Sequence, residues 1–148
     1  MLIEYSEKYL PACVKIYLAA FKSAPFNYGW LTEAAGVRYF TDIQRGPRFL
    51  GYVWLAEETQ NIAAVCLGCV DDYFRGALYE IKEIFVEPAS QGRGLGTEFL
   101  AAVEKDLTNR GISCITLLTR REIQAYDFYL KNGFAENAGA ALMAKTLK

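Results

Sequence analysis

Ile84-Phe85-Val86-Glu87-Pro88-Ala89-Ser90-Gln91-Gly92-Arg93-Gly94-Leu95-Gly96-Thr97 decides how this chain is read. A strand-like run enters a glycine-rich loop, and the loop opens a helix over 97–109 with apolar positions at Phe99, Leu100, Val103 and Leu107. Glycines let a backbone approach a ligand closely and adopt positive φ. The first N–H groups of a helix lack intrahelical partners and sit at the positive end of its dipole. Such a place holds phosphate or pyrophosphate. The same pattern also serves a tight turn that needs glycines only for packing. Two nucleotide motifs do not fit. A P-loop requires Lys and then Ser or Thr after the last glycine, where this chain has Thr97-Glu98. A dinucleotide fingerprint requires G-x-G-x-x-G, whereas Gly92, Gly94 and Gly96 alternate.

Working outward, Arg110-Gly111 closes the helix, and 112–119 reads as a buried strand. A short helix over 123–131 stops before Gly133, and 134–136 with 140–146 read as a final pair of strands. Upstream, 77–86 is a strand. Residues 50–57 and 62–70 form a hairpin turning at Gln60-Asn61, and 71–76 is a loop or loose strand end. Residues 1–5 suit an edge strand. Leu10, Cys13, Val14, Tyr17, Leu18 and Phe21 fall at helical spacing behind Pro11. A loop over 22–31 carries Pro25, Phe26, Tyr28 and Trp30. Thr32 then caps a second helix with Val37, Phe40 and Ile43 inward, ended by Gly46-Pro47. Hairpin-linked strands followed by a strand–helix–strand crossover imply an α/β fold. Its mixed sheet is antiparallel first, then parallel around the crossover, with helices on both faces.

The 148 residues suit a single domain over 1–148. With 53% hydrophobic residues and a net charge of −1, the chain is neither disordered nor a basic nucleic-acid binder. No stretch approaches the roughly 20 apolar residues of a membrane span. The start Met1-Leu2-Ile3-Glu4-Tyr5 lacks signal-peptide features, so a cytoplasmic location is expected. The chain has no histidine, which excludes imidazole bases, Ser-His-Asp catalysis and His-ligated zinc. Cys66 and Cys69 have C-x-x-C spacing without a second pair. On a regular strand they point to opposite faces, so no metal is expected. Acid–base chemistry is left to carboxylates, tyrosine, lysine, cysteine or the backbone.

Gln91-Gly92-Arg93-Gly94-Leu95-Gly96 resembles the Q/R-x-x-G-x-G/A signature of the GCN5-related N-acetyltransferases. Ile84-Phe85-Val86-Glu87-Pro88 resembles the strand ending that precedes it in that family. Ala125-Tyr126-Asp127-Phe128-Tyr129-Leu130-Lys131-Asn132-Gly133-Phe134 is similar to its A-x-x-F-Y-x-K-x-G-F segment. The chain departs at Glu122, where many members carry Asn. The resemblance implies the acyl-CoA N-acyltransferase fold and transfer of acetyl from acetyl-CoA to a primary amine. It implies that the amides of Gln91, Gly92, Arg93, Gly94, Leu95 and Gly96, with Thr97, hold the CoA pyrophosphate. The backbone of Phe85 and Val86 would pair with the pantetheine arm, the strands flanking the crossover splaying to admit it. The resemblance also makes Tyr129 the general acid for the departing thiolate. Tyr129 equally reads as a core residue beside Phe128 and Phe134. Many members dimerise, and a homodimer is left open.

A base must come from elsewhere. Ile81, Ile84 and Val86 share a face only if one extra residue is inserted after Ile81, which describes a β-bulge. The bulge puts Glu80, Glu83 and Phe85 on the opposite face. Family members commonly draw a carboxylate from this strand. Glu83 is favoured narrowly over Glu80, and either could instead pair with Lys82. For the acceptor, Phe26, Tyr28 and Trp30 with Asp71, Asp72 and Tyr73 combine aromatics and carboxylates suited to a cationic amine. Residues 30–52 loosely resemble aminoglycoside-type acetyltransferases, which favours a small-molecule acceptor. A protein N-terminus or lysine is the alternative acceptor. A non-catalytic acyl-CoA-binding module is the alternative class.

Overall fold

Five strands pair in chain order as β1 (Leu2–Glu4), β2 (Phe49–Leu55), β3 (Ile62–Tyr73), β4 (Gly76–Val86) and β5 (Ile112–Leu117). The first three pairings are antiparallel and β4–β5 is parallel. The helices are α1 (Leu10–Lys22), α2 (Glu33–Gln44), α3 (Leu95–Asn109) and α4 (Gln124–Lys131). This computed structural model describes residues 1–73 and 76–148, without the Tyr73 side chain. Phe74 and Arg75, in the segment expected to turn, lie outside the described residues. Met1–Leu118 and Thr119–Lys148 are two compact units.

In the first unit the sheet is sandwiched. Strand alternation sends Val53, Val65, Leu67 and Phe85 to one face, where Val14 and Tyr17 of α1 and Phe40 and Ile43 of α2 cover them. It sends Tyr52, Ala64, Cys66, Tyr79 and Ile81 to the other, under Phe99, Val103 and Leu107 of α3. Cys66 and Cys69 diverge as strand geometry requires. Cys66 is buried under α3, whereas Cys69 lines a groove with Tyr39 and Asp42 of α2. Thr32 caps α2, its Oγ1 accepting from the Ala35 N–H at 3.1 Å. No helix among the described residues is long and apolar enough to cross a membrane.

Several boundaries differ from expectation. Ala56 and Glu57 leave β2 for the turn, because Ala56 exchanges backbone bonds with Gln60 and Asn61. β3 continues through Asp71 and Asp72, which pair with Leu78 and Ala77, so the hairpin arms outrun the apolar pattern. α3 starts at Leu95, which moves Leu95, Gly96 and Thr97 out of the loop into the first helical turn. Gly36 replaces Val37 on the inner face of α2, since a side chain there would meet Val14 Cγ1 at 3.0 Å. β5 is buried on one face only: Ser113, Cys114 and Thr116 are exposed.

The second unit holds α4, and no strand follows it. The strands expected over 134–136 and 140–146 do not form. Asn137 instead makes a turn, accepting from the Ala140 N–H through its backbone and from the Gly139 N–H through Oδ1. Leu142, Met143 and Leu147 are exposed. A short apolar run marks a segment that can pair, but a strand exists only where a partner ladder meets its backbone groups.

Candidate active site

The loop is built as its glycines suggest. Gly92 and Gly94 hold φ of +76° and +79°, and Cβ atoms placed there would meet nothing within 4 Å. Packing therefore does not require either glycine; the left-handed backbone does. Gly94 is the N-cap of α3, and no side chain caps that end. The first helical bond runs from the Glu98 N–H to the Gly94 carbonyl at 3.1 Å, so the N–H groups of Leu95, Gly96 and Thr97 stand ahead of it. The Gln91 side chain turns back, Nε2 donating to the Val86 carbonyl at 3.0 Å. That bond ties the loop to the end of β4. Arg93 is exposed beside it.

At the same end the sheet opens. The parallel ladder stops at Ile81–Leu117, while β4 runs on to Val86. Among the described residues nothing pairs with that last stretch of β4 on its β5 side. Phe85 buries its ring on the α1/α2 face, and antiparallel alternation from the Glu87–Ala63 bond leaves the Ile84 and Val86 main chain on the β5 side. An uncapped helix start, two left-handed glycines and a free strand edge, joined through Gln91, fit a ligand with a diphosphate and an amide-bearing arm. Among the described residues no cluster of three His, Cys, Asp or Glu could hold a metal ion.

The bulge lies where the apolar pattern puts it. Leu67 opposes Glu83 and Gly68 opposes Ile81, so Lys82 is the extra residue. Ile81, Ile84 and Val86 consequently share the α3 face. Glu83 turns to the other face, where Tyr39 of α2 donates its hydroxyl to Oε1 at 2.8 Å. Burial pushes the Glu83 carboxyl up to about 7, against the lowering effect of that hydrogen bond. Glu80, on the same face, is ion-paired with Lys82 at 2.7 Å. It lines a groove of about 380 Å³ between α2 and the β3–β4 hairpin, together with Tyr39, Asp42, Cys69, Asp71 and Lys82. The two glutamates thus differ: one is neutralised by a lysine, and the other is desolvated and held by a neutral donor.

The expected acceptor residues are not all brought together. Tyr28 stacks on Phe21 at 6.2 Å between ring centroids and contacts Trp30 at 5.3 Å. Phe21 in turn reaches Phe85, so this aromatic cluster borders the face that carries Glu83. Trp30 is 71% exposed. Asp72 sits at the hairpin end of β3 and pairs with Arg48. In the second unit, Tyr129 lies on α4 with its ring against Phe128 and Phe134, each at 5.5 Å. Glu122 accepts from Arg120 Nε at 2.7 Å, and backbone and arginine hydrogen bonds hold its carboxyl below the usual range.

Sequence reasoning missed Tyr39. It comes three residues after Gly36 and four before Ile43, on the flank of the buried face of α2. A tyrosine on such a flank can bury its ring and present its hydroxyl, which was the available signal.

A sequence model of the acetyltransferase (GNAT) domain matches residues 50–136. No curated protein matches the chain. Among solved structures, a possible acetyltransferase from Clostridium difficile 630 superposes with a TM-score of 0.80 at 12% identity, covering 100% of this chain and 98% of its own. An aminoglycoside acetyltransferase from an uncultured soil metagenomic sample, in complex with sisomicin, gives 0.72 at 18%, covering 100% and 96%. A transcriptional regulator from Bacillus halodurans C-125 gives 0.73 at 18%, covering 99% of each chain. At such identities the likeness is one of fold.

Proposed function

We propose, from the premise that this chain belongs to the GNAT family of acetyltransferases, that it transfers acetyl from acetyl-CoA directly to a primary amine of a small molecule. The observation that carries this reading is the joined pair of features at the end of β4: the uncapped start of α3 behind Gly92 and Gly94, and the β4 edge left free beyond Ile81. The near-complete coverage by whole acetyltransferases of like fold supports taking residues 1–148 as one such domain.

Acetyl-CoA supplies the activated acyl group as a thioester. The chain's own part is to hold and orient. The N–H groups from Gln91 to Gly96, with Thr97, receive the diphosphate, and the Phe85 and Val86 main chain pairs with the amide arm. A main-chain N–H on this edge polarises the acyl carbonyl.

An amine attacks only after losing its ammonium proton. Glu83 is the group to take it: ionised above about pH 7, it is basic enough to accept that proton, and unlike Glu80 on the same face it is not paired with Lys82. Tyr129 is the proton donor to the leaving thiolate, a role resting on the A-x-x-F-Y segment alone. Tyr28 and Trp30 offer aromatic faces to a cation. The aminoglycoside enzyme of like fold makes small polyamines the first acceptors to try.

The test is thiol release from acetyl-CoA across a panel of small amines, lysine peptides and N-terminal peptides, beside calorimetry with CoA. Turnover on small amines is expected. CoA binding without turnover on any acceptor would convert the reading to a binding module, and turnover on peptides alone would move the acceptor to protein.

A further inference from the structure

We infer that Tyr39 is a positioning residue for the base: its hydroxyl, donating to Oε1 of Glu83 at 2.8 Å, fixes the carboxylate that receives the amine proton. The inference rests on the proposed base role of Glu83. The bond joins α2 to β4, two elements whose packing also brings Phe40 to Phe85 at 6.0 Å between ring centroids. Glu83 is aimed by the bulge at Lys82, and Tyr39 by the packing of α2. The Tyr39 ring is wedged against Tyr17 and Phe40, at 6.0 and 5.9 Å between centroids, so the hydroxyl is delivered from a fixed ring.

The groups facing Glu83 are few. Tyr39 comes from α2 and Tyr17 from α1, Leu67 lies opposite on β3, and Glu80 and Lys82, paired with each other, share its strand. Burial first, and then the Glu83 charge and hydrogen bond, push the Tyr39 phenol far above its usual range, so it stays a donor while Glu83 titrates. Tyr17 is pushed up to about 12 by burial, Glu83 and Tyr28, and is likewise neutral. The hydrogen bond favours the charged carboxylate, whereas burial disfavours it. Tyr39 thereby holds Glu83 ionised at a pH where an equally buried, undonated carboxyl would be protonated. The same side chain also lines the groove beside α2.

The experiment is Tyr39→Phe, read two ways: carboxyl titration of Glu83 by carbon NMR in the whole chain, and the acidic limb of kcat/KM against pH. Both are expected to move upward by about one pH unit, with CoA affinity unchanged. Tyr17→Phe is the control. Among the described residues no hydrogen bond joins Tyr17 to Glu83, so neither reading should move. An unmoved Glu83 titration in Tyr39→Phe overturns the inference and leaves the base role standing. A titration that moves while the limb stays put shows that the base is another group, and the positioning role falls with it. Equal shifts in both phenylalanine variants would mean a loosened aromatic cluster, which also overturns the inference. If Tyr39→Phe does not fold, the wild-type chain bearing fluorotyrosine, whose hydroxyl is a stronger donor, should move the titration downward; no movement overturns it.

Discussion

A side chain at Gly68 would collide with Tyr79 and with the main chain beside it. A Cβ there would lie 2.3 Å from the Glu80 carbonyl oxygen and 2.6 Å from Cζ of the buried Tyr79 ring, whose hydroxyl donates to the Leu50 carbonyl at 2.7 Å. Gly68 also opposes Ile81 where the β3–β4 register shifts. Tyr79 and the Glu80 main chain together fill the space a side chain at Gly68 would take, at the bulge that turns Glu83 toward α2.

Gly68→Ala should therefore destabilise the fold by about 2–3 kcal/mol, as overpacking in a rigid core does. Urea unfolding will check it. A loss below about 0.5 kcal/mol would mean that the hairpin relaxes freely and the bulge is not held by this contact.

Gly94→Val probes the loop without crowding it. The site has room, but φ of +79° is strained for a β-branched residue by about 1–3 kcal/mol, and the branches project where a diphosphate would approach. CoA affinity by calorimetry should fall at least about tenfold, equivalent to roughly 1.4 kcal/mol. Unchanged affinity would remove the loop from the CoA site.

For Glu83 the sign of the pH effect can be stated for both rate and stability. Its carboxyl titrates near 7 in the fold against an ordinary 4.5, so kcat/KM should fall as pH drops through about 7. Glu83→Gln should abolish that limb and Glu80→Gln should keep it. Between those two values the folded state binds more protons than the unfolded state, so this group makes the chain less stable as pH rises. Glu83→Gln, whose amide oxygen can still accept from Tyr39, should be more stable than wild type at pH 8 by on the order of 2 kcal/mol for a half-buried carboxylate, and equal to it at pH 4. Thermal melts at both pH values decide this.

Tyr129→Phe should leave CoA affinity intact and lower kcat by about 10²-fold, the range of general acid catalysis. Stopped turnover assays with calorimetry separate the two effects. Full turnover in the variant would pass the acid role to solvent.

Much of this was readable in residue order, because its causes are local. The period of two in β2 and β3, the cap at Thr32, the glycine loop ahead of α3 and the misfit between Ile81 and Ile84 each follow from neighbours in the chain. They fix the mixed sheet, the glycine loop and the bulge. Residue order misleads where a partner decides the outcome. Residues 140–144 form a short apolar run that reads as a strand, yet 140–146 have no ladder to join. Val37 is as apolar as an inward residue should be, yet α1 comes too close and Gly36 takes its place.

What residue order determined by itself was the kind of chemistry: main-chain donors for a phosphate, and a carboxylate or phenol in place of the missing imidazole. Which carboxylate is desolvated, and which phenol holds it, was decided only when α2 folded over β4 and brought Tyr39 to Glu83. Burial and hydrogen bonding are properties of residues far apart in the chain, and they set proton affinity through the medium around a charge, which no stretch of sequence contains.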